Sequence, residues 1–188
     1  VGTPLGTFGA VAIWRGGPGG LGAAPAWILP GEQPGAGFGS VLAGAGDVDG
    51  DGLDDLLVGA PSWNAGLGGE GAAFLWLGSA AGPSPTADWT AVGDQENGHF
   101  GSALGGCGDL DAEGHADLVI GAPHEDDLAV DGGRVHVFLG GASGPSTTAD
   151  LVLAFPQTGA WFGASLSPPV DLNGDGSPDL VVGAPNGA

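Results

Sequence analysis

With 22 acidic and only two basic side chains among 188 residues, the chain carries a formal net charge of −20. It repels phosphate backbones and anionic lipid, which excludes unaided nucleic-acid or membrane-surface binding. A hydrophobic content of 42% and a mean hydropathy of +0.20 set it apart from acidic disordered chains.

Apolar residues come in short runs cut by Gly, Pro, Asn and Asp, and none approaches the roughly 20 residues of a membrane helix. This pattern predicts an all-β fold without membrane insertion. In chain order, residues 1–37 read as the second half of a repeat. Gly9-Ala10-Val11-Ala12-Ile13-Trp14 aligns with Gly71-Ala72-Ala73-Phe74-Leu75-Trp76, and Trp27 with Trp89. The segment starts at Val1 without a charged-then-apolar leader, so a mature or excised segment is expected.

Residues 38–99 form a complete repeat that opens on Phe38-Gly39 and carries Val58-Gly59-Ala60-Pro61. Residues 100–161 form a second, with Phe100-Gly101 and Ile120-Gly121-Ala122-Pro123. Residues 162–188 supply a first half alone, with Phe162-Gly163 and Val182-Gly183-Ala184-Pro185. Each landmark recurs at an offset of 62 residues. In the second complete repeat, strands are predicted near 101–107, 116–121, 133–139 and 149–155. Four short strands per repeat make one antiparallel sheet, and repeated small sheets hide their faces by stacking radially as β-propeller blades. The chain then holds three repeats, one split between the termini. Trp14, Trp76, Trp27 and Trp89 are expected to pack between blades. Cys107, set between glycines and alone in the chain, excludes an internal disulfide and reads as a buried filler.

Each repeat places an aspartate-rich loop between its first two strands. In Asp47-Val48-Asp49-Gly50-Asp51-Gly52-Leu53-Asp54-Asp55 the carboxylates alternate before a glycine turn. Calcium wants six to eight hard oxygen ligands at about 2.3–2.6 Å, so Asp47, Asp49, Asp51, the Leu53 carbonyl and Asp55 make a candidate cage, with Asp54 facing solvent. The second loop offers Asp109, Asp111, Glu113, the His115 carbonyl and Asp117, and its longer Glu113 predicts weaker binding. The imidazole of His115 is expected to face solvent. The third loop offers Asp171, Asn173, Asp175, Ser177 at the carbonyl position and Asp179, giving up to three calcium ions per chain. An EF-hand needs a bidentate Glu at the twelfth position, where these loops have Val58, Ile120 and Val182. Solvated Asp-Gly turns without metal are the alternative reading.

The Phe-Gly opening, the Asp-rich loop and the Gly-Ala-Pro close together resemble the FG-GAP repeat of integrin α-subunit propellers. That resemblance implies strands numbered outward from a central axis, with the Asp loops on one face of the disc. It implies ligand contact on the other face, from residues 31–37, 62–70, 93–99, 124–132 and 156–161. There Trp63, His99 and Trp161 are candidate anchors, although Trp161 also reads as core, and Glu125, Asp126, Asp127 and Asp131 read first as a solvated acidic loop. No catalytic set is legible, and no chemistry is assigned to His124 or His136. The expected function is an extracellular or cell-surface, calcium-binding adhesion module with a protein or glycan ligand. A self-assembling structural protein is the alternative, and an enzyme fragment a lesser one. With three blades per chain, a homo-oligomer is expected, first as a six-bladed dimer in which terminal half-repeats complete one blade. A filament or a fragment of a longer propeller are the alternatives.

Overall fold

The computed structural model describes residues 8–187; the ends of the first and last half-repeats, Val1–Thr7 and Ala188, lie outside the described residues. The N-terminal half-repeat forms a two-stranded antiparallel sheet of β1 (Ala10–Ile13) and β2 (Trp27–Pro30). The first blade is the four-stranded antiparallel sheet β3 (Val41–Gly46), β4 (Asp55–Ala60), β5 (Ala72–Trp76) and β6 (Trp89–Val92), paired in that order. The second blade repeats it with β7 (Ala103–Gly106), β8 (Leu118–Ala122), β9 (Arg134–Phe138) and β10 (Leu151–Ala154). The C-terminal half-blade has β11 (Ser165–Leu166) and β12 (Val182–Gly183). The predicted strands of the second repeat are therefore found in place, each shortened by one to three residues where glycines and turns bound it.

Registers repeat with the sequence. Leu56 pairs with Trp76 in the first blade and Leu118 with Phe138 in the second. The first strands β3, β7 and β11 lie in contact, one beside the next, as inner strands around a common axis do. Alternation along β4 sends Leu57 to one face and Val58 to the other. Val58 joins Val11, Leu29, Phe38 and Trp76 in a core between the N-terminal half-blade and the first blade. Leu57 joins Leu75, Phe100, Leu118, Ile120 and Phe138 between the two complete blades. Val119, Val135 and Val137 meet Leu166 and Val182 of the C-terminal half-blade. Every complete blade thus buries both faces, and the core is a series of inter-blade layers.

The Phe-Gly motif joins these layers. The Phe100 amide donates to the Glu70 carbonyl of the preceding blade (2.9 Å), and the next amide, Gly101, donates to Gly121 within its own blade (3.0 Å). Phe162 and Gly163 do the same with Gly132 and Gly183. A Cβ at Gly59 or Gly121 would overlap the carbonyl oxygen of Gly101 or Gly163 in the next blade, so the Gly-Ala-Pro glycine is the space into which the next blade docks.

Two expectations about the tryptophans divide. Trp27 lies against Gly82, and Trp89 donates from Nε1 to the Ser146 carbonyl (3.0 Å) while its ring meets Phe138, so both bridge to the following blade. Trp76 is buried, but Trp14 is 46% exposed. The expected union of the two terminal half-repeats into one blade is not formed within a single chain: β1–β2 and β11–β12 are separate sheets at opposite ends of the array, held apart by the two complete blades.

Gly121→Ala is expected to lower stability by about 2–3 kcal/mol, since backbone, not a flexible side chain, must move to admit the methyl. Gly44→Ala, where nothing lies within 4 Å, is expected to change it by less than about 0.5 kcal/mol. Urea midpoints at constant slope check both.

Candidate metal centres

The three Asp-rich loops share one backbone design. The first carboxylate of each accepts from the amide of the glycine five residues on: Asp47 Oδ2 from Gly52 (2.9 Å), Asp109 Oδ2 from Gly114 (2.8 Å) and Asp171 Oδ2 from Gly176 (2.9 Å). The last aspartate ties the loop shut. Asp55 accepts from Val48 (2.8 Å) and from Gly78 on the β5–β6 connection (2.6 Å), and Asp117 accepts from Leu110 (2.7 Å) and Gly140 (2.8 Å). Asp179 accepts from Leu172 (2.7 Å). Burial pushes the Asp55 and Asp117 carboxyls above their usual range against these amides, and neighbouring loop carboxylates add to the rise. Asp171 and Asp175, held by exposed-loop amides, stay below it.

Oxygens of Asp47, Asp49 and Asp51 lie within 4.8 Å of one another, as do those of Asp109, Asp111 and Asp117. Oδ1 of Asp47 is buried and has no hydrogen-bond partner. A cluster of carboxylates around an orphaned acceptor is the donor set a hard divalent cation requires, so the residues present fit calcium. Asp54 is exposed, as expected. Asp171, Asp175 and Asp179 are not gathered as closely. In the third loop Asn173, a neutral amide, stands where the first two loops have Asp49 and Asp111; the second residue of each loop is buried at Val48, partly buried at Leu110 and 69% exposed at Leu172.

One expectation in the second loop is corrected. The His115 imidazole does not face open solvent. It packs against Gly50 of the first loop, and its Nδ1 lies 2.7 Å from Glu113 Oε1. Glu113 is thereby directed to His115 and lies outside the Asp109–Asp111–Asp117 cluster. The first loop also docks on the second blade through its backbone, Asp47 accepting from Ala116 (2.8 Å) and Val48 from Gly141 (3.0 Å). Cys107 is buried, donates to the Asp117 carbonyl and has its thiol pushed up to about 12 by burial and by Asp117, which makes it inert filler as expected.

The loops joining β4 to β5 and β8 to β9 leave the other ends of the same strands, so they lie on the face opposite the Asp loops. Glu70 is buried there and accepts from the Ala65 (2.5 Å), Leu67 (3.2 Å) and Gly68 (2.7 Å) amides. Burial pushes this carboxyl up, but the amides outweigh it and hold it below the usual range. Glu125 departs from the expected solvated acidic loop. It is fully buried, with Oε2 2.8 Å from His136 Nε2 and 3.7 Å from the Arg134 guanidinium, whereas Asp126 and Asp127 are exposed. Sequence reasoning missed this pair, although the 62-residue offset sets Glu125 and His136 where the first blade has the contacting rings of Trp63 and Phe74. Trp161 is 39% exposed and edges onto His124, which edges onto His99. Burial and His124 together lower the His99 pKa. Leu67, Leu128 and Val130 are exposed on the same face.

Stacked four-stranded sheets with an acidic loop after each first strand define a propeller-blade repeat protein. Residues 38–76, 100–138 and 162–188, more than half of the chain, match the FG-GAP repeat model, and the chain belongs to that family. It is similar to integrin alpha-IIb of Mus musculus, with 40% identity over 168 residues, covering 85% of this chain and 16% of that protein. Integrin alpha-PS2 of Drosophila melanogaster is 36% identical over 174 residues, covering 83% and 12%. Integrin alpha-5 of Xenopus laevis is 34% identical over 195 residues, covering 98% and 18%. The chain therefore spans less than a fifth of the length of these relatives. Among the described residues, no helix is long and apolar enough to cross a membrane.

Ala112 stands at φ 61° where the other two loops have Gly50 and Gly174, a left-handed conformation that strains any side chain. Ala112→Gly is expected to raise the stability of the metal-free chain by about 1 kcal/mol, read from the thermal midpoint in chelator; no rise means that the second loop is not strained.

Proposed function

We propose that the chain is a calcium-stabilised, non-catalytic adhesion or ligand-binding module of an extracellular or cell-surface protein. The observation that carries this reading is the first Asp loop, in which Asp47, Asp49 and Asp51 converge around a buried, unpartnered oxygen. Like charges held that close repel, and a divalent cation converts the repulsion into binding energy coupled to folding. Asp47, Asp49, Asp51, Asp55 and the Leu53 carbonyl would hold one ion. Asp109, Asp111, Glu113 and Asp117 with the His115 carbonyl would hold a second, weaker because Glu113 is longer than the aspartate it replaces and has to leave His115 to reach the ion. Asp171, Asn173, Asp175, Asp179 and the Ser177 carbonyl would hold a third. The names of the relatives support the adhesion reading, with the partner, protein or glycan, meeting the opposite face at exposed Leu67, Leu128, Val130 and Trp161.

Saturating calcium is expected to raise the thermal midpoint by about 5 °C or more per occupied site, with magnesium much less effective. In calorimetry Asp49→Ala removes one tight site and leaves the third loop intact. A calcium-indifferent midpoint with no heat of binding would end the metal reading.

Among the described residues β1 pairs only with β2 and β12 only with β11, which favours a second reading, in which two copies would complete each other's half-blades as a six-bladed ring. The register of β4 with β5, carried over by the repeat offset, sets Val182 of one copy opposite Ala12 of the other and Leu180 opposite Trp14. Light scattering in calcium is expected to give about twice the 18.0 kDa chain mass. A monomer at all concentrations would discard self-assembly, and continuous growth in mass would replace the ring by a filament.

A further inference from the structure

Between the rim of the N-terminal half-blade and the first blade lies a cavity of about 170 Å³ whose walls are aromatic: Phe38, Trp63, Phe74 and Trp76. Three of the four ring contacts are steep, and the fourth, Phe74 with Trp76 at 6.4 Å and 41°, is tilted. Phe38 meets Phe74 at 5.8 Å and 70°, Phe38 meets Trp76 at 6.0 Å and 71°, and Trp63 meets Phe74 at 5.2 Å and 71°. The four rings, together with Pro30, Thr86 and Thr90, form the walls of a box. Glu32, exposed, stands at its mouth, and no basic side chain lines it. The mouth is braced: Gln33 Nε2 donates to the Asn64 carbonyl and the Asn64 amide donates to Gln33 Oε1, both at 2.7 Å, which ties the neighbour of Glu32 to the neighbour of Trp63.

The same groove recurs 62 residues later and is a natural control. There Phe100, His136 and Phe138 occupy the positions of Phe38, Phe74 and Trp76, Glu125 replaces Trp63, and Asp94 takes the place of Glu32. Arg134 replaces Ala72, and its guanidinium lies 3.8 Å from Asp94. The protein thus supplies its own cation to the acidic rim of the second groove. In the first groove, among the described residues, no ion pair engages Glu32 while four aromatic rings enclose the space below it.

We propose that the Phe38–Trp63–Phe74–Trp76 box binds a trimethylammonium group, its cation on the ring faces and Glu32 as the counter-charge. Ring quadrupoles attract a cation, and a methylated ammonium sheds water easily enough to enter an aromatic enclosure. The volume is below the roughly 300 Å³ at which pockets admit drug-sized ligands, so the occupant is a single head group. The high negative charge of the chain raises the local concentration of such cations. The site makes no use of the Asp loops and stands whether or not they bind calcium.

The test is an NMR titration of the isotopically labelled chain, in saturating calcium, with tetramethylammonium, and with 3,3-dimethylbutan-1-ol as the neutral isostere of choline. Saturable shifts at the Trp63 indole with tetramethylammonium, and at least tenfold weaker binding of the neutral isostere, are expected. Trp63→Leu should weaken binding tenfold or more and Glu32→Gln, at an exposed site, about threefold. Glu32→Gln leaves the core untouched and so decides the matter if Trp63→Leu fails to fold. Phosphocholine and trimethyllysine arms identify a lipid head group or a modified peptide as the source by which binds more tightly. Equal binding of the neutral isostere, indifference to Glu32→Gln, shifts spread over the acidic loops or the Asp94 groove, or no shifts at all would each overturn the proposal.

Discussion

Everything in this array depends on how closely one blade approaches the next. In the two complete blades the glycine of the Gly-Ala-Pro run, Gly59 or Gly121, lies under the peptide carbonyl of the following Phe-Gly motif, at a separation that leaves no room for a Cβ. The phenylalanine amide reaches back to the preceding blade while the adjacent glycine amide closes onto its own. Two consecutive backbone amides therefore hold two sheets in a fixed relation, and the Phe100 side chain fills the layer they enclose. A packed interior transmits such a constraint, so the 62-residue period in sequence becomes a constant step in space.

The Asp loops use that step. Asp55 and Asp117 are the struts, each joining its own loop to a more distant connection of the same blade, and their burial is what raises their carboxyls. Docking of the first loop on the second blade through Asp47, Val48 and the His115 ring means that the candidate metal loop is also part of the blade stacking. The third loop has the same spacing, with Asn173 in place of an aspartate, and its Leu172 is exposed.

Departures from exact repetition mark the places where the blades differ in chemistry. The aromatic contact of Trp63 with Phe74 becomes a carboxylate–imidazole contact of Glu125 with His136, still beneath the Phe of the motif. Burying such a pair is costly without compensating partners, and Arg134 supplies part of that compensation. Conversely, Glu70 spends its whole carboxylate on loop amides and shapes the opposite face without presenting charge to it.

Much of this was determined by sequence alone. The 62-residue recurrence of Phe-Gly, the Asp loop and Gly-Ala-Pro specified four-stranded blades and candidate ligands, and the family resemblance carried by those motifs implied the strand order. Tertiary structure alone decided which acidic residues are solvated. Glu113 and Glu125 look alike in a list of carboxylates, yet one is turned to His115 by its own loop and the other is enclosed with His136. It also decided that the terminal half-blades stay apart within one chain, since two complete blades separate them. Local pattern records what a residue is able to do; which neighbour it meets across a blade interface depends on the stacking of sheets, a long-range arrangement that no short window of sequence contains.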